Sequence, residues 1–394
     1  MPGVKDKVAI IGMGCTKFDE HWDKDVKDLI VDACWEAFQD AGVEPKDIKA
    51  GWWSTMWNGE LGRSLAYPLK LGFIPISRVE NRCASGLDAF INACHAVAAG
   101  SYDLVLVCGA EKLKDIGFPA PGGDPATPYL SRVDPTFLPV AAFAQLAQRY
   151  AYHWKIPIEK LKETMAKIGV KNHHNGSLNP KAQFQREITL EQAVNAPIIS
   201  YPIGLFDACG VTDGAAAAIL TRADMAKSFR DDYILVKGVG MACGKYSWEV
   251  DDEWEGDHIE ENVVASRMAY AEAGIKNPRK ELDVAIVHDC FTITELTIYE
   301  DFGLSPRGKG PEDVDAGTFE LGGELPVNTD GGLKCFGHPI GASGLRMLYE
   351  VYKQLQGKAG PRQIKNPRLG LAHTFGGEPV EGGTGAITIL GCRD

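Results

Sequence analysis

Two hydrophobic rhythms alternate along the chain. Residues 8–14 (VAIIGMG) form an unbroken apolar run ending in glycine, the mark of a buried strand. Asp25 then opens a stretch in which Val26, Leu29, Ile30, Ala33, Cys34, Ala37 and Phe38 recur at helical spacing, and Gly42 closes it. Further strands are predicted near 50–56, at 77–82 running into Cys83, and at 104–110 (LVLVCGA). Between the last two, Leu87, Phe90, Ile91, Cys94 and Val97 mark a second amphipathic helix. Strands alternating with helices predict an α/β protein with a mostly parallel, covered sheet. Residues 117–128 (GFPAPGGDPATP) break the rhythm, and a long, partly helical insertion follows to about residue 200.

The rhythm then repeats itself. Residues 234–240 (ILVKGVG) echo 8–14, and 283–287 (DVAIV) is another buried strand. Ala84-Ser85-Gly86-Leu87 returns as Ala342-Ser343-Gly344-Leu345, each time at the start of a helix. That is the pattern of a duplicated α/β unit.

Composition narrows the class. The 394 residues can bury a large core, and 45% hydrophobic with 24% charged residues is ordinary for a soluble globular protein. A net charge of −12 argues against a nucleic-acid partner. No export signal and no run long enough for a membrane span is legible, so a cytoplasmic location is expected. None of the ten cysteines falls in a Cys-x-x-Cys pair, so no structural metal is expected within this chain. Most should be free, buried thiols.

Ligands of open α/β sheets collect at the carboxyl ends of strands, and four segments there carry chemistry. Asn81-Arg82-Cys83-Ala84-Ser85-Gly86 puts a thiol at a strand end and a helix start. Small neighbours admit a substrate, and the helix N-terminus is expected to lower the thiol pKa. Gly337-His338-Pro339-Ile340-Gly341-Ala342-Ser343-Gly344 holds a histidine in a glycine-rich turn, able to donate to a developing oxyanion or to take a proton. His288-Asp289-Cys290-Phe291 pairs a histidine with a thiol that could shuttle a proton. His373-Thr374-Phe375-Gly376-Gly377 could present backbone N–H groups. Taken singly, each of the last three is also compatible with a plain turn or strand end.

Together the four segments resemble the thiolases in order and spacing, over essentially the whole chain; 201–220 (YPIGLFDACGVTDGAAAAIL) is similar to the stretch before that family's second half. The His-Asp-Cys-Phe tetrapeptide, with Thr374-Phe375-Gly376 where the commonest branch carries a second cysteine, resembles the branch related to sterol carrier protein.

The resemblance implies duplicated βαβαβαββ halves in five layers, αβαβα, with a loop domain inserted in the first half. The expected divisions are 1–115 for the first part of the N-terminal half, 116–200 for the inserted loop or lid, 201–230 for the end of that half and 231–394 for the C-terminal half. It also implies an acyltransferase with Cys83 as nucleophile, Cys290 as acid/base, His338 with His288 at one oxyanion, and Gly376, near His373, at the other. Coenzyme A is expected as co-substrate, with no permanently bound cofactor. At least a homodimer is expected, together with a small zinc-ribbon/OB-fold partner subunit holding any zinc.

Cys335 and Phe336 replace more familiar residues and are expected to line the pocket, with Cys335 a second candidate for the proton shuttle. The 377–383 segment is longer than usual. The chain also resembles the thiolases that close anaerobic toluene degradation. The first substrate expectation is therefore 2-benzoylsuccinyl-CoA, split to benzoyl-CoA and succinyl-CoA, and the second is acetoacetyl-CoA. A ketoacyl synthase would have no need of Cys290, a related aldolase would lack Cys83, and a CoA-binding scaffold would have no use for a reactive thiol.

Overall fold

A computed structural model describes residues 3–115, 139–244, 255–379 and 382–393. The 117–128 break therefore lies outside the described residues.

The first half runs β1 (Val8–Cys15), α1 (Val26–Ala41), β2 (Ala50–Ser54), α2 (Arg63–Leu69), β3 (Ile76–Val79), α3 (Ser85–Ala98) and β4 (Leu104–Glu111). Helices α4 (Pro139–His153) and α5 (Ile158–Ser177) and a two-stranded ribbon, β5 (Ile198–Ser200) and β6 (Ile203–Gly204), come next, before β7 (Gly214–Arg222) ends the half. The second half runs β8 (Ile234–Cys243), α6 (Glu260–Ala273), β9 (Val284–Ile286), α7 (Thr292–Asp301), α8 (Gly332–Phe336), α9 (Ile340–Leu355), β10 (Leu369–Glu378) and β11 (Gly382–Gly391).

Local chemistry starts and stops these elements. At α1 the Asp25 carboxylate accepts from the Lys27 and Asp28 N–H groups, and Gly42 leaves the helix at φ 68. Such a cap is worth about 1 kcal/mol.

The strands lie in the order β3-β2-β4-β7-β1-β8-β11-β10-β9. Each half reads the same way outward from the β1–β8 seam, with β9 in the place of β2 and Val327, bridged in parallel to Ala285, in the place of β3. The sheet is mixed, which corrects the mostly parallel expectation. Among the described strands, β2–β3, β2–β4 and β9–β10 pair in parallel, while β7 and β11 run against both of their neighbours. In the second half β10 and β11 follow one another with no helix between them and pair antiparallel; in the first half β7 returns antiparallel to β4 after the helical insertion.

Helices α1 and α2 cover one outer face, α3 and α9 lie together between the half-sheets, and α6 covers β8 and β11 on the far side. The echo of 8–14 in 234–240 has a packing cause. A Cβ on Gly14 would stand 2.0 Å from Ala33 O on α1, and one on Gly240 would stand 2.0 Å from Ala265 O on α6. Each copy keeps a glycine where its helix backbone touches its strand. Cys34 and Cys94 are fully buried in this packing.

Candidate active site

Strand β3 stops at Val79 and α3 starts at Ser85, so Cys83 sits on the connecting elbow, two residues before the first helical residue. Arg82 takes the left-handed conformation, φ 48, which turns the chain sharply ahead of the thiol. Hydrogen bonds from Asn81 N–H to Ser85 Oγ (2.8 Å) and from Ser85 Oγ–H to Arg82 O (2.5 Å) hold the elbow. The Asn81 side chain is held in turn by Asp88 at 2.6 Å.

His338 comes from the equivalent place in the second half, just before α9. Its Nε2 lies 3.1 Å from Cys83 Sγ and its Nδ1 lies 2.7 Å from Ser343 Oγ. Ser343 gives its own proton to Pro339 O at 3.0 Å, so its oxygen accepts from Nδ1–H. That fixes the tautomer: Nε2 is the free base, and the Cys83 S–H donates to it.

Both members are neutral at rest. Burial pushes the Cys83 thiol up, with Cys209 and Glu378 adding to the rise and Arg82 opposing it. Burial pushes His338 down to about 3, helped by Arg346. The expectation that the helix start lowers the thiol pKa is therefore corrected, because desolvation outweighs it.

His288 lies edge-on to His338, with ring centroids 5.4 Å apart, and is driven well below its ordinary pKa by burial, with His338, His373 and Arg346 adding to the fall. Its Nδ1 has no hydrogen-bond partner among the described residues. Cys83, His288 and His338 bring donor atoms within 4.8 Å of one another, close enough to consider a metal. Two donors on one tetrahedral zinc stand roughly 3.5 Å apart. The Cys83–His338 contact is shorter and has the length and tautomer of a hydrogen-bonded nucleophile and base.

These residues line one cleft together with Arg82, Cys209, Cys290, Gly377 and Glu378; Met56, Trp57, Leu113, Phe143, Phe291 and Ile340 make it mainly apolar. Arg82 and Glu378 pair across it at 2.5 Å. The Cys290 Sγ lies 3.8 Å from Thr294 Oγ1, and burial raises its pKa well above the ordinary thiol value. Its chain neighbour Asp289 points away from the cleft. It accepts from the Leu333 and Lys334 N–H groups at the start of α8 and from Asn172, which anchors the motif; burial lifts it to about 8.

Gly376 packs under the elbow. A Cβ there would stand 2.1 Å from Asn81 O and 3.0 Å from Cys83 N. His373 sits behind His288 rather than in the cleft, with Nδ1 3.5 Å from His288 N and Nε2 2.9 Å from Asn262 Oδ1.

Cys335 and Phe336 do not line the cleft, which corrects their expected place. Helix α8 turns Cys335 against Gly176 of α5, fully buried, and Phe336 stacks edge-on with Phe18 at 4.8 Å. The Cys335 thiol, pushed up to about 12 by burial, packs against Gly176 and Gly331 instead.

Two contributors were not singled out from the sequence. Cys209 belongs to a quoted segment, but only the fold sets it beside Cys290. Glu111, at the end of β4, is fully buried and accepts from Thr55 Oγ1–H at 3.0 Å and from the Met56 and Trp57 N–H groups. Its pKa rises to about 7 through burial, against those bonds and one from Gly341 N–H. It ties the Met56-Trp57 wall to the start of α9.

The mixed five-layer fold and the cysteine–histidine pair define an acyl-transfer enzyme built on the thiolase plan. The chain belongs to the thiolase family: the thiolase N-terminal domain matches residues 8–200 and the thiolase C-terminal domain-like model matches residues 253–390. It is 36% identical to an acetyl-CoA acetyltransferase of Methanothermobacter thermautotrophicus over 97% of this chain and 99% of that one. It is 32% identical to the benzoylsuccinyl-CoA thiolase subunit BbsB of Thauera aromatica, over 94% and 95%. Human sterol carrier protein 2 is 31% identical, with 95% of this chain covering 71% of that protein. Among solved structures, an Ltp2-ChsH2(DUF35) aldolase superposes with a TM-score of 0.85 at 25% identity, covering 99% of this chain and 98% of that one.

Proposed function

We propose that the protein cleaves or forms the carbon–carbon bond of a 3-oxoacyl-CoA through an acyl-Cys83 intermediate, with coenzyme A as co-substrate. The 3.1 Å contact between Cys83 Sγ and the free Nε2 of His338 carries this reading. As Cys83 attacks the 3-oxo carbon, its proton passes to His338. The imidazolium so formed, with His288 beside it, faces the developing oxyanion. The bond breaks, the acyl group stays on Cys83, and Cys290 protonates the enolate. Coenzyme A then takes the acyl group while the Cys83 and Gly376 N–H groups hold the second oxyanion.

For the substrate, 2-benzoylsuccinyl-CoA is the lead. Trp57, Phe143 and Phe291 give the cleft aromatic walls suited to a benzoyl unit, and a relative named for that ester supports the choice. Acetoacetyl-CoA is the second reading, favoured by the higher identity to acetyl-CoA acetyltransferases. The aldolase likeness is answered by Cys83, a nucleophile that aldol cleavage does not need. One relative named as a subunit and one neighbour solved with a DUF35 partner support a second subunit for this chain too.

The test is to incubate the purified protein, with any co-purifying subunit, with each ester and to locate the adduct by mass spectrometry. A benzoyl group on Cys83 supports both chemistry and substrate. An acetyl group alone keeps the chemistry and moves the substrate to acetoacetyl-CoA. No adduct on Cys83 from either ester sinks the acyl-enzyme reading.

A further inference from the structure

The cleft holds a third thiol for which the acyl-enzyme scheme has no task. Cys209 lines it beside Cys83 and Cys290. Its backbone N–H donates to Cys290 O at 2.9 Å, and Ala208 bridges Phe291, so the segment before β7 is stitched to the His-Asp-Cys-Phe segment. A charge on Cys209 acts on both other thiols: after burial, it is the first influence on each.

Depth separates the two candidates for proton transfer. Cys290 is buried, 8% exposed, with Sγ turned to Thr294, whereas Cys209 is partly exposed. Burial raises both thiols, Cys209 to about 12 and Cys290 well above its ordinary value. The reaction needs two proton transfers at different places. A thiol arriving from solvent meets the partly exposed Cys209 before the buried Cys290.

We propose that Cys209 is a catalytic residue of the second half-reaction, taking the proton of the incoming coenzyme A thiol, while Cys290 serves the enolate. The protons balance. Cys290–SH protonates the enolate and is left as thiolate. Cys209–SH returns a proton to Cys290 and becomes the thiolate. That thiolate takes the proton from coenzyme A, whose sulfur attacks the Cys83 thioester. The C–S bond to Cys83 breaks, and the Cys83 sulfur recovers the proton held on His338.

This assignment rests on the acyl-Cys83 reading, and one experiment separates the two. Acyl-Cys83 is formed from acetoacetyl-CoA or 2-benzoylsuccinyl-CoA, then discharged with free coenzyme A, and both rates are followed by quenched mass spectrometry in wild type, Cys209→Ala, Cys209→Ser and Cys290→Ala. In both Cys209 variants discharge is expected to slow at least about tenfold more than acylation, and in Cys290→Ala the enolate-forming step is expected to suffer first. Serine keeps the size of the wall but cannot ionise. Full discharge in Cys209→Ser, or equal slowing of both steps in the Cys209 variants, makes Cys209 a wall residue and overturns the proposal. Absence of any adduct in wild type removes the acyl-enzyme reading itself.

Discussion

Ser343 fixes the working state of His338. Its Oγ, 2.7 Å from Nδ1, is itself committed as a donor to Pro339 O, so the imidazole proton can only sit on Nδ1. Replacing Ser343 by alanine frees the ring to take the other tautomer, in which Nε2 no longer accepts from Cys83. Acylation of Cys83 is expected to fall by about tenfold, and by about 10²–10⁴-fold in His338→Ala. Single-turnover acylation rates check both, and equal rates in wild type and Ser343→Ala would remove the tautomer argument.

The neutral pair has a pH signature. Cys83 is raised and His338 is lowered to about 3, so neither changes protonation state across the middle of the pH range. Because the proton of Cys83 passes to neutral His338 and not to solvent, iodoacetamide alkylation of Cys83 should be flat between about pH 5 and pH 8, whereas in His338→Ala it should rise with pH as the thiolate fraction rises. A preformed thiolate–imidazolium pair would instead show a strong ultraviolet thiolate band in wild type that Cys83→Ala lacks.

Glu111 links cleft geometry to stability. Its folded pKa, about 7, lies above the ordinary 4.5, so the folded state holds the proton more tightly than the unfolded one. Its contribution is greatest below pH 4.5 and is lost as pH rises through 7, a change of up to about 3 kcal/mol. Urea unfolding between those limits should show that loss in wild type, and Glu111→Gln should flatten the slope.

Gly376→Ala tests the contact beneath the elbow. A methyl group there meets Asn81 O at 2.1 Å, so the elbow has to move. Overpacking of this kind costs about 1–3 kcal/mol. Acyl transfer is expected to fall by more than the lost stability accounts for, read as kcat at a temperature where the variant remains folded.

The aromatic walls predict selectivity. Phe143→Ala should lower kcat/KM for 2-benzoylsuccinyl-CoA by about tenfold or more and leave acetoacetyl-CoA less affected. An equal loss for both esters would count against the aromatic-acyl reading.

Local signals carried much of the fold. Asp25 and Gly42 bound α1 as their types predict, and the repeated Ala-Ser-Gly-Leu marks equivalent helices because both copies obey the same packing. Strand direction was not legible, since a buried parallel strand and a buried antiparallel strand have the same apolar run. At the site, Cys83 and His338 could be read because each sits in a small-residue turn at a helix start. Cys335 misled because nearness in sequence to His338 says nothing of direction; α8 turns it toward α5. Cys209 depends on a backbone contact between segments some eighty residues apart, which periodicity does not encode.

The two middle helices meet where a Cβ on Gly344 would stand 2.6 Å from Leu87 N, and each supplies one half of the reactive pair from the turn that precedes it. The nucleophile belongs to one copy of the repeat and its base to the other. A single half standing alone would hold only one of them, so the reactive pair exists only where the two halves face each other.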